Sequence, residues 1–304
     1  MKSERFDIPI LFLIFNRPDT TEKVFEKIRE IKPKYFYVSA DGARENKPGE
    51  YEKCELAKSV LKKVDWECEV NVNFSEINLG CKEGVTKGIN WFFENTEYGI
   101  ILEDDCLPDI SFFNFCKVML ERYKDDKRVM HIGGVNFQDT NKRGNKSYYY
   151  SRFCHVWGWA TWKDRWAKYD VNMAGYNDDK YYSISESIIK DKEIIDYYKR
   201  LLDTVRDNKL DTWDFQWVWT VWKNDGVSII PNVNLVKNIG FGEEATHTVS
   251  TSSKISELST GRITEFDFND SIEPDAEADR YTYYHKIRKS KFEKLTEVIK
   301  KLLK

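Results

Sequence analysis

Buried-strand patterns alternate with helical patterns through the first hundred residues of the chain. Ile8 to Phe15 is a continuous apolar run, which is typical of a strand covered on both faces. A helical pattern follows from Pro18, and further strands are predicted at 35–39, 69–74 and 99–102, with helical segments between them. This alternation predicts an α/β fold with a mainly parallel, doubly wound sheet flanked by helices.

Polar side chains follow these predicted strands, close to the points where the strands end. They are Arg17, Asp41, Asn78 and the triplet Glu103-Asp104-Asp105. Ligands of parallel sheets bind beyond the carboxyl ends of the strands, so we expect a site there. Adjacent carboxylates repel one another, and Mg²⁺ or Mn²⁺ commonly binds one or two carboxylates together with substrate phosphates. Alternatively, the triplet only ends a strand and caps the helix predicted near Ile110.

Composition and charge exclude several classes of protein. The chain has 304 residues and a net charge of −3, which argues against a nucleic-acid partner. Its apolar stretches are all shorter than the roughly 18 residues of a transmembrane helix, and we interpret the apolar N-terminal segment as a strand rather than a signal peptide. The six cysteines form no CxxC pair, which predicts free thiols in a reducing cytoplasm.

Four ordered motifs of the first half are similar to those of one enzyme family. IPILFLIFNRP, SADG, NLGCKEG and YGIILEDDCLPDISFFNF resemble the GT-A nucleotide-sugar glycosyltransferases, in particular the inverting N-acetylglucosaminyltransferase I group and related bacterial sequences. The resemblance covers residues 8–125 and continues more loosely through GWATW, TWDFQW and NIGFGEEATHT to about residue 250. It implies a Rossmann-like GT-A fold. It also implies metal-dependent, inverting transfer of a sugar from a UDP-sugar to a hydroxyl of a saccharide, and the basic tail of the chain adds a lipid-linked glycan as a second candidate acceptor.

The resemblance assigns roles at the donor site. The family's Asp-rich, DxD-like motif falls on the triplet, so Asp105 would bind Mn²⁺ or Mg²⁺ while Asp104 and Glu103 face the donor. Asp41 matches the residue that contacts uracil or ribose, and Arg17 matches a basic residue near the nucleotide.

Further residues complete the predicted donor site. Asn78 could shape the loop before the next helix, and Lys82 could attract phosphate. Trp159 would line the donor side of the cleft, and His247 would lie in a loop that covers the diphosphate, with its imidazole as a metal ligand. Each of these residues also has a purely structural interpretation, as a turn, surface or core residue.

Inverting transfer requires a base for the acceptor hydroxyl, and a carboxylate of the second half is the candidate. Asp214 is the predicted base and Asp211 the reserve, because the TWDFQW segment differs from the family pattern by a position. Either could instead be a helix N-terminal residue. Trp157 and Trp213 would contact the acceptor, since an indole can stack on a pyranose face.

The predicted domains are a GT-A domain of 1–250 and a tail of 251–304. The domain divides into a nucleotide-binding half (1–125) and an acceptor-binding half (126–250), in which a long helix is predicted at about 185–208. The tail consists of an acidic linker and a basic amphipathic helix from 285. That helix either packs on the body or contacts a membrane surface at the cytoplasmic face.

Two alternative functions are a sugar nucleotidyltransferase and a catalytically silent homologue. A sugar nucleotidyltransferase would share the α/β nucleotide-binding architecture, but it usually has a Gly-rich loop with a basic residue after the first strand, where this chain has FNRPD. A catalytically silent homologue that binds carbohydrate would retain the fold. The intact triplet and the available Asp214 argue against it.

Overall fold

The computed structural model describes residues 5–241 and 258–288. These ranges contain the following strands: β1 (Ile10–Ile14), β2 (Tyr35–Ala40), β3 (Glu69–Phe74), β4 (Tyr98–Glu103), β5 (Cys106–Pro108), β6 (Val129–Gly133), β7 (Tyr148–Ser151), β8 (Trp159–Trp162), β9 (Val227–Pro231) and β10 (Val236–Asn238). The α-helices of the same ranges are α1 (Pro18–Ile31), α2 (Glu50–Lys58), α3 (Gly80–Asn95), α4 (Ile110–Arg122), α5 (Lys163–Trp166), α6 (Asp178–Ile188), α7 (Lys192–Arg206), α8 (Asp214–Lys223) and α9 (Ala276–Thr282).

An eight-stranded sheet with the order β3-β2-β1-β4-β8-β6-β9-β7 forms the centre of the fold. β3, β2, β1 and β4 are mutually parallel, whereas β8 is antiparallel to both β4 and β6. β9 is parallel to β6, and β7 is antiparallel to β9 at the far edge. The predicted α/β architecture with a large, mostly parallel central sheet is therefore confirmed, with antiparallel strands confined to the second half.

The central strands position the polar residues that follow them. All five residues of β1 are buried, as the unbroken apolar run predicts for a strand covered on both faces. Leu13 of β1 pairs with Glu103 of β4, so the chain after β1 emerges beside the acidic triplet. Asp109, rather than the triplet, caps α4, because its carboxylate accepts the Ser111 N–H at 2.8 Å.

The predicted long helix at 185–208 is wrong, because the chain breaks there into α6 and α7. Asp191 stands at the break, and its carboxylate accepts the N–H groups of Glu193 (3.0 Å) and Ile194 (3.4 Å) at the start of α7. Side-chain oxygens that satisfy unpaired N–H groups commonly begin helices. α6, α7 and α8 then pack around a second hydrophobic core that includes Trp219 and Trp222.

Residues 258–288, predicted as part of the acidic linker and the start of the basic helix, pack on the body. Phe266 and Phe268 contact the main core, and Asp279 is buried against the end of β7, where it accepts the Arg152 N–H at 3.0 Å. The basic amphipathic pattern lies mostly at 289–304, outside the described residues. Within the described ranges, no helix is both long and apolar enough to cross a membrane.

Candidate functional site

A cavity of about 860 Å³ lies beyond the carboxyl ends of β1, β2 and β4. Side chains from both halves of the chain line it, and the predicted site residues among them are Arg17, Asp41, Asn78, Glu103, Asp104, Asp105, Trp157, Asp211, Trp213 and Asp214. The sheet edge therefore brings together residues that are up to about two hundred positions apart in the sequence.

Arg17 neutralises the end of the acidic triplet. Its Nη1 donates to Asp105 Oδ2 at 2.6 Å and to Asp104 Oδ1 at 3.4 Å, and Asp104 also accepts the Phe15 N–H at 3.1 Å. Burial, followed by the charges of the adjacent carboxylates, raises the pKa of Glu103 and of Asp104. The triplet is therefore a concentration of negative charge that a guanidinium of the same chain compensates in part.

The carboxylate oxygens around Arg17 are ligand atoms that suit a hard cation. The described ranges contain no group of three His, Cys, Asp or Glu side chains placed to hold a metal ion. One or two carboxylates suffice, however, when substrate phosphates supply the other oxygens, and the triplet lines the cavity. The triplet therefore fits Mg²⁺ or Mn²⁺ in chemistry, although a cation at Asp105 would have to share that carboxylate with Arg17.

Gly240, which follows β10, packs directly onto this ion pair. A Cβ at this position would lie 2.3 Å from Asp105 Oδ2 and 2.9 Å from Arg17 Nη1, so no larger residue fits without displacing them. The preceding Ile239 N–H donates to the Asp105 carbonyl at 2.8 Å. The segment after β10 thus fixes the backbone of Asp105 and closes one side of the acidic cluster.

Two other carboxylates of the cavity are bound by backbone amides at the start of α3. Asp41 accepts the N–H groups of Leu79 (2.9 Å) and Gly80 (3.1 Å), and Asp211 accepts those of Cys81 and Lys82, both at 2.9 Å. The first N–H groups of a helix lack partners within the helix, and its dipole favours negative charge there. Both carboxylates therefore hold the fold together.

Asn78 and Gly80 have structural roles in the same turn. The Asn78 amide donates to the Asp41 carboxylate and to the Gly42 carbonyl, both at 2.9 Å. Gly80 has φ of +80°, which favours glycine, and a Cβ there would lie 2.8 Å from the Asp211 carboxylate. Asn78 thus shapes the loop before α3, as one interpretation of the sequence proposed.

Asp214 faces the triplet from the second half of the chain. It begins α8, is half-buried, and its Oδ1 accepts a short hydrogen bond from the Thr212 hydroxyl. The negative charge of Asp214 contributes to the raised pKa of Glu103, although burial and the triplet's own carboxylates contribute more. Asp214 and the triplet therefore share one electrostatic environment, whereas the carboxylate oxygens of the reserve residue Asp211 are engaged by amides.

The predicted donor contact of Trp159 is wrong, and Lys82 faces elsewhere. Trp159 is fully buried in the second half's aromatic core, where its ring stacks on Trp213 with centroids 5.6 Å apart. A sugar cannot reach a ring enclosed in this way. Lys82 Nζ donates to Asn208 Oδ1 at 2.9 Å and lines a separate surface depression.

The remaining predicted aromatic and histidine residues differ in their placement. Trp157 is half-buried and lines the cavity. Trp213 also reaches the cavity, but it is almost entirely buried, so most of its ring belongs to the core. His247 lies outside the described residues.

Arg44 is a cavity residue to which no sequence motif assigned a role. It lines the cavity from the loop after β2, and its guanidinium pairs with Glu50 and lies over the Phe15 ring, 5.6 Å from the centroid. The hydrogen bonds from Arg44 lower the pKa of Glu50 to about 2. The signal was present, because SADGAR places a cation just after a strand end.

Comparisons with known proteins leave the family open. The chain matches no family model and no curated protein. Among solved structures, HddC from Yersinia pseudotuberculosis complexed with GMP-PN is 11% identical, with a TM-score of 0.35 over 57% of this chain and 81% of that chain. A second HddC structure is 10% identical, with a TM-score of 0.33 and the same coverage. Likeness at this level carries no argument about the fold or the function.

Proposed function

We propose that this protein is a GT-A type, inverting glycosyltransferase that moves a sugar from a UDP-sugar to a hydroxyl of a saccharide or lipid-linked glycan. The observation that carries the proposal is the cavity, in which Asp214 of the second half faces Arg17 and the triplet of the first. Inverting transfer requires a base on one side of the sugar. On the other side it requires groups that stabilise the departing diphosphate, either directly or through a cation.

The donor would lie against the first half of the chain. Arg17 and Arg44 supply two guanidinium groups on the cavity wall, and guanidinium binds phosphate oxygens well. Glu103 and Asp104 accept hydrogen bonds from sugar or ribose hydroxyls. Asp41, whose carboxylate is bound by the amides of α3, contributes by fixing the wall of the nucleotide pocket.

Asp214 would act as the base in the transfer step. Its carboxylate accepts the proton of the acceptor hydroxyl while that oxygen forms a bond to the anomeric carbon. The bond between this carbon and the diphosphate oxygen breaks, and the electron pair leaves with UDP. The Thr212 hydroxyl donates to one oxygen of Asp214 and so helps to orient the carboxylate.

Mn²⁺ or Mg²⁺ is the proposed cofactor, with Asp105 as its protein ligand. When bound, the cation would stabilise the negative charge of the departing diphosphate as a Lewis acid. Arg17, which pairs with Asp105, would be a second group that contacts the diphosphate.

The acceptor would enter beside Trp157, whose half-buried ring offers a face for a pyranose. We place the enzyme in the cytoplasm in surface-glycan assembly, with the basic tail as a peripheral membrane contact. Sedimentation with anionic liposomes, before and after removal of residues 289–304, tests that contact. If native and truncated proteins sediment equally, the tail has no such role.

Release of UDP tests the proposed reaction. The protein is incubated with a panel of UDP-sugars and Mn²⁺, with and without saccharide acceptors, and donor binding is measured by calorimetry. We expect donor binding and acceptor-stimulated UDP release. Absence of both would overturn the proposal. Pyrophosphate release from UTP and sugar 1-phosphate would instead indicate a nucleotidyltransferase, and carbohydrate binding without turnover would indicate a silent homologue.

A further inference from the structure

Exposed apolar side chains are concentrated on one edge of the molecule. In the described ranges, the large hydrophobic residues with high exposure all lie on α2, on β3 or just after β3, apart from Tyr98. They are Tyr51, Leu56, Val70, Val72, Phe74 and Ile77. Contiguous exposed apolar surface of this kind commonly marks an interaction site.

Among the residues that the structure describes, β3 is the terminal strand of the sheet, and no described strand pairs with its outer edge. Glu69 N–H donates to the Lys34 carbonyl and Ser75 N–H to the Ala40 carbonyl, both at 2.9 Å, so these residues point towards β2. Successive residues of a strand direct their backbone N–H and C=O groups to opposite edges. The N–H and C=O groups of Val70, Val72 and Phe74 therefore point outwards, away from β2.

The same residues carry the exposed apolar side chains of β3. Val70, Val72 and Phe74 are 39%, 50% and 38% exposed, and they share the sheet face on which their β2 partners Phe36 and Val38 are buried. Exposed edges of natural sheets usually carry lysine, proline or a bulge that prevents pairing. β3 reads EVNVNF and pairs in unbroken register with β2.

We propose that this edge binds a second copy of the same chain through antiparallel pairing of β3 with β3 about a two-fold axis at Val72. In this register Val72 faces Val72 of the second copy, and Val70 faces Phe74. Directly opposed residues of antiparallel strands lie on the same sheet face, so every apolar residue of the stripe meets an apolar residue. The outward N–H and C=O groups of Val70, Val72 and Phe74 would form the hydrogen bonds between the two copies.

The self-complementarity of the strand favours a second copy over an unrelated partner. A two-fold interface requires the same patch to match itself, and here apolar meets apolar while Asn71 meets Asn73. Glu69, the charged residue of β3, would face Ser75, so no like charges oppose each other. Lys58 Nζ lies 5.2 Å from the Phe74 ring centroid, which places the end of α2, beyond Leu56, beside the same stripe.

Sedimentation of the full-length protein over a wide concentration range tests the proposal. We expect a reversible monomer–dimer equilibrium. Val72→Lys should weaken dimerisation by about tenfold or more, because two lysines would face each other across the axis. Tyr98→Lys is the matched control, since it replaces an exposed aromatic residue elsewhere with lysine, and it should dimerise like the native chain. Circular dichroism verifies that both variants fold.

Oxidative cross-linking tests the register. Hydrogen-bonded antiparallel pairs have Cα atoms about 5.5 Å apart, within disulfide range, so Val72→Cys should cross-link to itself. Val70→Cys alone should cross-link no more than the native protein does. The double variant V70C/F74C should cross-link, because position 70 of one copy faces position 74 of the other. A native chain that stays monomeric at all concentrations would overturn the proposal. A dimer that is unaffected by V72K, or a V70C that cross-links as well as V72C, would overturn the interface.

Discussion

The acidic residues of the cavity occur in two regions that neutralise them differently. At the end of β4, the carboxylates of Asp104 and Asp105 contact the guanidinium of Arg17. At the start of α3, Asp41 and Asp211 accept hydrogen bonds from backbone amides. A side chain can rotate away when a ligand arrives, whereas a helix terminus cannot. Under the proposed function, the β4 acids would bind ligand, whereas the α3 acids hold the cavity walls in place.

Asp214 begins α8 and shares the electrostatic environment of the triplet, and its replacement should have the largest effect. Asp214→Asn removes the proton acceptor, so we expect the rate of sugar transfer to fall by about 10²–10⁴-fold while donor affinity changes little. Asp211→Asn is the matched control and should retain most of the transfer rate. Single-turnover assays with calorimetric donor titrations measure both quantities. Native turnover by Asp214→Asn would disprove the base assignment.

The buried carboxylates of the triplet should make the stability of the cation-free protein depend on pH. Burial raises the pKa of Glu103 and Asp104, so the folded state retains protons that the unfolded chain has already lost. The free energy of unfolding should therefore decrease as the pH rises from the ordinary carboxyl range to these raised values. Chemical unfolding at a series of pH values measures this slope.

Asp279 provides the control for that slope, because burial raises its pKa to about 7 in a different part of the molecule. Asp104→Asn and Asp279→Asn should each remove a separate part of the decrease. Added Mn²⁺ should counteract only the part that belongs to the triplet. A slope that disappears entirely in Asp279→Asn and is unchanged in Asp104→Asn would contradict this interpretation.

The smallest effect is expected at the start of α3. Asp211→Asn keeps one acceptor oxygen and loses the other, so one N–H of the helix terminus lacks its partner. We expect a loss of about 1 kcal/mol in the free energy of unfolding, the usual magnitude for a helix cap. Lys82→Ala is the control, because it removes the side chain but keeps the backbone N–H of position 82 that donates to Asp211. It should lower the free energy of unfolding less. Equal losses would indicate that the cap contributes little.

The sequence predicted the parallel half of the sheet and its polar edge because both depend on local patterns. Apolar runs and the residues after them define β1, β2 and β4 and place the triplet beside Arg17. The ion pair of Arg17 with the triplet was not predictable, because its surroundings include Gly240, far along the chain, where a Cβ would lie within 3 Å of both Asp105 and Arg17. The sequence suggested a metal where the structure also places an arginine.

The second half was less predictable because its contacts join distant segments. Trp157 and Trp159 belong to one short motif, yet the first lines the cavity and the second is enclosed by Trp213, Trp217 and other aromatic residues. Likewise, Asp211 and Asp214 are close in sequence, but only the former meets the amides of α3. Tertiary packing decides both cases, and no local pattern records it.

Calorimetric titration of UDP-sugar, with and without Mn²⁺, tests the distinction between the two acidic regions most directly. The proteins compared are the native chain, Asp105→Asn and Asp211→Asn. We predict that Asp105→Asn loses the cation-dependent part of donor binding, whereas Asp211→Asn binds the donor like the native chain. Native binding by Asp105→Asn together with lost binding by a folded Asp211→Asn would contradict the account.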